Sequence, residues 1–528
     1  MNLPAFFTES QSVHGTWQDV VSVLTKIKRP SQTIDGFRTQ PYCRHVGANE
    51  GLDISTQDIS AQALSARATE QVSARIAAVV IPFFLLAPAI WNGYPLLQWD
   101  TGGYLARWYE GYLVPSRSTV FGLYLHIGEG SGFWFNLLLQ ALATLWIIWL
   151  TLRALGLAQP FRVAAISLLL ILTTALPWLA TMLLTDIFAG LSVLALFLLI
   201  LHGDKLLPTE KGGLFVFTAF AAASHSATLG VLTGLCVLAL LAWPWLRTRM
   251  GLPALAFGAS ALVTGAAMLL AANYALSGQL AWTPGGYGVA FGRMMQDGIV
   301  ARYLNDHCGQ EQLKLCPYRN GLPATADEFL WGHSMFNTLG RFEGMEGEMG
   351  YIVTHSLKAY PLWQAEAALA ATAQQLLAVA TGEGANGWIP HTYGIIERYI
   401  PAELKAMRAG HQQHWDIDFP AINRLHVPVA LASMLAVLAL LAHAVSWHRL
   451  DDVTLLAATV SFALLGNAAI CGVISGPHDR YGARMVWIAT FTVLIALSRY
   501  FWNDPDDLEH DPEKCEAVFR KDHAQTIT

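Results

Sequence analysis

The chain has 528 residues, 54% of them hydrophobic and only 13% charged, with a mean hydropathy of +0.39, which excludes an ordinary soluble protein and points to a polytopic membrane protein. The formal charge of -6 is concentrated, because Asp504 to Asp522 carries eight acids against Lys514, Arg520 and Lys521, leaving -5 in an acidic, Pro-containing tail. No basic field suited to nucleic acid remains.

Residues 1–76 mix Ser, Thr, Gln and Asp with scattered Lys and Arg and read as a flexible cytoplasmic extension. The first apolar run starts only near Ala77 and is long enough to span, so it reads as an uncleaved anchor. Runs of spanning character then recur at 77–97, 132–152, 163–183, 186–202, 213–225, 227–246, 252–276, 425–446, 453–474 and 484–502. The expected fold is therefore all-α, with about ten transmembrane helices, the short 213–225 piece alternatively forming one broken helix with its neighbour. Lys26, Lys28, Arg29, Arg67 and Arg75, Arg153 and Arg162, Lys205 and Lys211, Arg247 and Arg249, and Arg449 fall in alternate loops, which the positive-inside rule assigns to the cytoplasm. Both termini are then cytoplasmic, in a bacterial-type inner membrane.

The opposite loops are expected to face the outer, periplasmic space: 98–131, the turns at 183–186 and Ser224–His225–Ser226, the long segment 278–424, and 475–483. The chain thus divides into the extension, an N-terminal membrane module over 77–277, an outer segment over 278–424, C-terminal spans over 425–502 and a cytoplasmic tail over 503–528. The outer segment is too long for a passive connection. A Pro-Gly-Gly turn followed by a helical period predicts a surface helix over 282–303, and Ala-rich 360–380 predicts a second, because Gln364, Glu366, Gln374 and Gln375 are costly in lipid. Cys308 and Cys316, eight apart in this segment, are disulfide candidates if the loop meets an oxidising space; Cys236 and Cys471 read as buried hydrophobes.

Several polar groups sit where outer loops meet spans. Asp100 precedes Thr101-Gly102-Gly103-Tyr104, and its loop also holds Arg107, Trp108, Tyr109, Glu110, Arg117 and His126. It is either a helix-end acid or a base or metal ligand held at the boundary. Asp186 lies between two apolar runs, where a carboxylate needs water, a cavity or a partner at about 3 kcal/mol against lipid; capping by Thr185 or Asp186 is compatible with function. His225 interrupts an apolar region of some thirty residues. Arg480 and Arg484, four apart beside Tyr481, share a helix face and present guanidinium forks that either pair with the acids or hold a phosphate. His411, His414, Asp416 and Asp418 are spaced as a metal site would be, but nothing completes a recognised set. Gly-x-Ser-x-Gly is absent.

An acid after the first span (Trp99-Asp100-Thr101-Gly102-Gly103-Tyr104), Pro115-Ser116-Arg117-Ser118-Thr119 before the second, Thr185-Asp186 at a later helix start and Asp479-Arg480-Tyr481 before the last span together resemble the GT-C superfamily of integral-membrane glycosyltransferases. The resemblance covers about 77–250 and 425–502, and departs from many members in having one Asp, not a paired acidic motif, in the first loop. It implies inverting transfer of a sugar from a polyprenyl-phosphate donor to an envelope glycan or lipid acceptor at the outer face of the membrane, with a divalent metal possible and no other cofactor expected. In that scheme Asp100 is the base, Asp186 and His225 position it or the acceptor, Arg480 and Arg484 hold the lipid phosphate, and Tyr104, Arg107, Trp108, Arg117 and Tyr481 contribute to binding. A lipid or glycan transporter, or a non-catalytic envelope-assembly protein, are the rival classes. Convergence of Asp100, Asp186 and His225 separates the enzyme from the scaffold.

Overall fold

The computed structural model describes Arg75 and residues 78–502, apart from 285, 388 and 449. The expected extension (save Arg75), the acidic tail and Arg449 lie outside these described residues.

Ten apolar runs yield, among the described residues, six helices long and apolar enough to cross a membrane. They are α4 (Trp134–Ala154), α9 (Ser226–Leu246), α10 (Leu252–Ser277), α19 (Phe419–Ser446), α20 (Asp452–Ile474) and α21 (Asp479–Trp502). At 1.5 Å per residue these are roughly 30 to 40 Å long, enough for the hydrocarbon core. Three further apolar helices are shorter: α1 (Ala78–Asn92), α5 (Pro160–Thr173) and α7 (Asp186–Leu201).

The runs fall short for identifiable reasons. The run 163–183 is not one helix: α5 stops at Thr173, Thr174 turns extended, and Pro177 starts the five-residue α6 (Leu176–Ala180). Proline lacks the N–H that would continue the ladder, so it sits where donors are free anyway. The run 213–225 starts earlier than expected, as α8 (Pro208–Ser224), whose first turn carries Glu210 beside Arg153 of α4 at Nη1–Oε1 2.8 Å. His225 is extended (φ -152°, ψ 123°) and separates α8 from α9, which runs back the other way.

Every residue of α7 from Asp186 to Ile200 is buried, as a helix apolar on all sides requires. Gly190 makes this possible on one side: a Cβ there would lie 2.7 Å from Nε1 of Trp487, so the missing side chain lets α7 and α21 approach closely. The helices give the bundle two ends. At one lie Asp100, the start of α7, the α8–α9 break and the start of α21; at the other lie Lys205, Arg247, Arg249 and Asp452.

The segment 278–424 is helical but divides in two. Its first part comprises α11 (Gly286–Gln296), α12 (Ile299–His307), α13 (Ala326–Trp331), α14 (Met335–Thr338) and α15 (Arg341–Ala359), and has its own core of Phe291, Tyr303, Phe329, Phe336 and Met349. The surface helix expected over 282–303 is α11 plus α12, interrupted by left-handed Gly298. Cys308 and Cys316 are joined by a disulfide beside this core. The second part, α16 (Pro361–Leu377), α17 (Pro390–Tyr399) and α18 (Leu404–Ala409), leads back to the bundle, and residues such as Val379, Ala385, Ile396 and Ile417 belong to the main core. α16 lies along α20, where Gly472 admits the carbonyl of Ala371.

Candidate functional site

The loop before Asp100 is fixed by backbone pairing. Leu96 N–H donates to the Thr181 carbonyl and Leu183 N–H to the Leu96 carbonyl, both at 2.9 Å, an isolated parallel bridge between Leu96 and Met182. Among the described residues it is the one strand-type pairing. It aligns the approach to α2 (Thr101–Glu110) with the approach to α7, so the residues that follow, Asp100 and Asp186, arrive side by side. Gln98 accepts from the Asp100 N–H at 2.8 Å, and Thr101 donates to the Leu183 carbonyl at 3.1 Å. The two glycines have steric purposes. A Cβ on Gly102 would lie 2.8 Å from the Thr392 backbone of α17, and one on Gly103 would press on the Arg117 side chain at 3.3 Å.

Around these acids three arginines gather. Asp100 Oδ1 is paired with Arg117 and Oδ2 with Arg480 Nη1 at 2.8 Å. Asp186 Oδ2 lies 3.7 Å from Arg480 Nε, and Oδ1 lies 3.4 Å from Arg484 Nη1, which is also 3.4 Å from His225 Nδ1. Arg484 is anchored from below by Asn467 of α20, whose Oδ1 accepts from Nη2 at 2.8 Å, and by Cys471 Sγ at 3.1 Å. Tyr481 lies beneath Arg480 and Arg484, their guanidinium carbons 5.0 and 5.2 Å from its ring centre. Tyr104 is buried near Arg117.

The electrostatics follow from counting: three guanidinium groups against two carboxylates leave +1. Asp186 and Arg484 are sealed, with side chains 3% and 1% exposed, whereas Asp100, Arg117 and Arg480 keep 14–17% and form the accessible edge. Burial alone would raise the Asp100 pKa, but the charges of Arg117 and Arg480 outweigh it and hold the carboxyl at about 2.

Not every expected residue joins the cluster. Arg107 is fully buried and fastens α2 to α3 (Thr119–Gly128) and its approach, donating to Thr119 Oγ1 at 2.8 Å and to the Val114 carbonyl. Trp108 donates to the Thr119 carbonyl at 3.0 Å in the same junction. A short motif cannot distinguish a charge aimed at a site from one used to close a loop. Conversely, Glu383 and Gln412 belong to the site's frame. Glu383 accepts from the Arg480 N–H at 2.9 Å and meets His478 Nδ1 at 2.8 Å, clasping the start of α21. Gln412 spans Leu97 and Ala385 with its side chain. The acid between two glycines at 382–384 and the single Asn in the apolar α20 were the signals available for Glu383 and Asn467.

The donor set does not fit a divalent cation. All four oxygens of Asp100 and Asp186 face guanidinium groups, and among the described residues no three His, Cys, Asp or Glu side chains cluster as ligands. His411 instead pairs with Asp416 at 2.9 Å and stacks on Trp91, His414 meets the Arg408 carbonyl, and Asp418 caps α19.

No family model matches the chain, and neither curated proteins nor solved structures provide a match.

Proposed function

We propose that the protein is a membrane glycosyltransferase of the GT-C kind, moving a sugar from a polyprenyl-phosphate donor to a glycan or lipid acceptor at the outer face. The observation that carries this reading is the cluster of Asp100 and Asp186 with Arg117, Arg480 and Arg484, a net positive group at one end of an apolar bundle. Such a transfer needs a positive site for the departing phosphate and a carboxylate to take the acceptor's hydroxyl proton. The exposed edge of the cluster supplies both types of group. With a pKa of about 2, Asp100 is too weak a base at rest. A donor phosphate competes with it for Arg480 and Arg117, and losing those partners raises its proton affinity toward a useful range. Asp186, held by Arg484 and Arg480, keeps the arginine pair aligned.

Two features support the outer assignment of this end. Lysine and arginine are concentrated in the short loops of the opposite end, and the Cys308–Cys316 bridge belongs to the segment on the Asp100 side.

The test is incorporation of labelled sugar from a polyprenyl-phosphate donor into envelope glycan or lipid by membranes holding wild type or Asp100→Asn. We expect a loss of about a hundredfold or more. Full activity in Asp100→Asn would remove the carboxylate from the base role. Arg480→Ala should raise the apparent donor KM by about ten- to a hundredfold, the worth of a charge-assisted contact, and an unchanged KM would remove the phosphate assignment.

A further inference from the structure

At the end of the bundle away from Asp100, the ends of α7 and α9 and the starts of α8, α10 and α20 enclose a cleft of about 840 Å³. Lys205, Lys211, Arg247 and Arg249 line it, against Asp204 and Asp452, so the formal balance is +2. Asp452 is shared by Lys205 at 3.3 Å and Arg249 at 3.6 Å, whereas Lys211 and Arg247 have no ion pair among the described residues. The floor is apolar, with Ile200, Phe257 and Leu455, and Phe257 is 39% exposed. His202 also lines the cleft. It is 3% exposed, and its Nε2 is sealed from solvent, with no hydrogen-bond partner among the described residues.

A cationic rim over an apolar floor, where spanning helices end, matches a molecule that is anionic at one end and hydrocarbon at the other. We propose that this cleft binds an anionic phospholipid, its phosphate held by Lys211 and Arg247, its acyl chains lying along Phe257 and the side of α10. Basic pockets between helices near a membrane surface suit such headgroups because a guanidinium forks onto phosphate oxygens and a lysine stem lies along apolar surface while its amine reaches the interface. A soluble phosphate would gain nothing from the apolar floor. The site is independent of the transfer chemistry at the opposite end.

The test uses the full-length protein in a neutral detergent, with phosphatidylglycerol or phosphatidylcholine added at equal concentration and occupancy read by native mass spectrometry. Wild type should retain one phosphatidylglycerol in clear excess over phosphatidylcholine. The double variant Lys211→Gln/Arg247→Gln should bind it five- to tenfold more weakly, while Arg302→Gln, an exposed arginine in the α12 segment, should bind as wild type does. Both rim residues line the cleft and have no ion pair among the described residues, so their loss should leave the fold intact, and an unchanged thermal midpoint checks this. Equal occupancy by the two lipids, or undiminished binding by the double variant, overturns the proposal. So does glycerol phosphate binding as tightly as the lipid, which would make the ligand a soluble phosphate. Phosphatidylglycerol binding only after deletion of 503–528 would likewise overturn it, making the acidic tail the native occupant.

Discussion

The Asp186–Arg484 pair shows how costly the candidate site is to build. Both side chains are sealed, and a buried charge without its partner costs about 3–5 kcal/mol. Asp186→Asn should therefore lower stability by about that amount, as measured by thermal unfolding in detergent, and Asp186→Leu combined with Arg484→Met should recover most of it while abolishing activity. Recovery of stability with activity retained would make the pair a packing device. His478 and Glu383 give a second, pH-dependent prediction outside the spans. The hydrogen bond that His478 donates to the Glu383 carboxylate raises the His478 pKa above 6.5, so its contribution is complete below that value and is lost as pH rises through the elevated folded value. Burial opposes ionisation of Glu383, but the bonds from His478 and the Arg480 amide prevail and lower its pKa, so its contribution is present above 4.5 and fades as pH falls below. The clasp on α21 is then strongest between pH 4.5 and 6.5, where both contributions are complete. Hydrogen exchange at the Arg480 amide, corrected for intrinsic rates, should show greatest protection there, and Glu383→Gln should flatten the profile. These two residues, like Asn467 and Gln412, escape sequence reading because their partners are set by packing. Glu383 meets groups nearly a hundred positions away and Gln412 meets Leu97 more than three hundred away. Asp100, Asp186, His225, Arg480 and Arg484 were easier to single out, since each is a polar group at the end of an apolar run, where it needs a reason to be.

Among the elements, α7 and α21 form the joint on which the cluster depends. Arg480, Arg484 and Trp487 follow one another along one face of α21, and Asp186 and Gly190 do so on α7, so the ion pairs and the indole contact share one register. Gly190→Ala forces a methyl against the Trp487 ring and should destabilise by about 1–3 kcal/mol. It should also reduce activity through Arg484, and Trp487→Leu should rescue both. Failure of the rescue would locate the damage elsewhere. A different outcome is expected from Cys308→Ala/Cys316→Ala. The bridge closes a short loop beside the separate core of α11 to α15, so its removal should cost about 2–3 kcal/mol of that unit's stability and increase its proteolysis, with little change at the cluster. Hydropathy located the apolar runs but overstated how many are full-length helices. It averages over residues and cannot see that Thr174 turns extended and Pro177 restarts the chain, or that α7 is buried by protein on every side within a bundle.

For the molecule as a whole, the helical, multi-pass character seen among the described residues was legible because it rests on bulk apolar content, whereas the division of 278–424 was not. One half of that segment builds a core of its own and the other half, from Val379 to Ile417, joins the bundle, and both halves read as helical with similar composition. The returning half holds the start of α2 through Thr392, which accepts from the Gly102 N–H, and secures Arg480 through Glu383, so the frame of the cluster is completed by chain distant from either acid. The Leu96–Met182 bridge has a mechanical consequence. Two backbone hydrogen bonds staple the approaches to Asp100 and Asp186, so moving the two residues' backbones apart means breaking main-chain structure. Arg117 sits in the irregular stretch between α2 and α3 and needs only to swing its side chain. The acids thus act as a fixed jaw and Arg117 as the movable one, so a molecule entering the cluster should dislodge Arg117 first, which Arg117→Lys would test by weakening that barrier without disturbing the bridge.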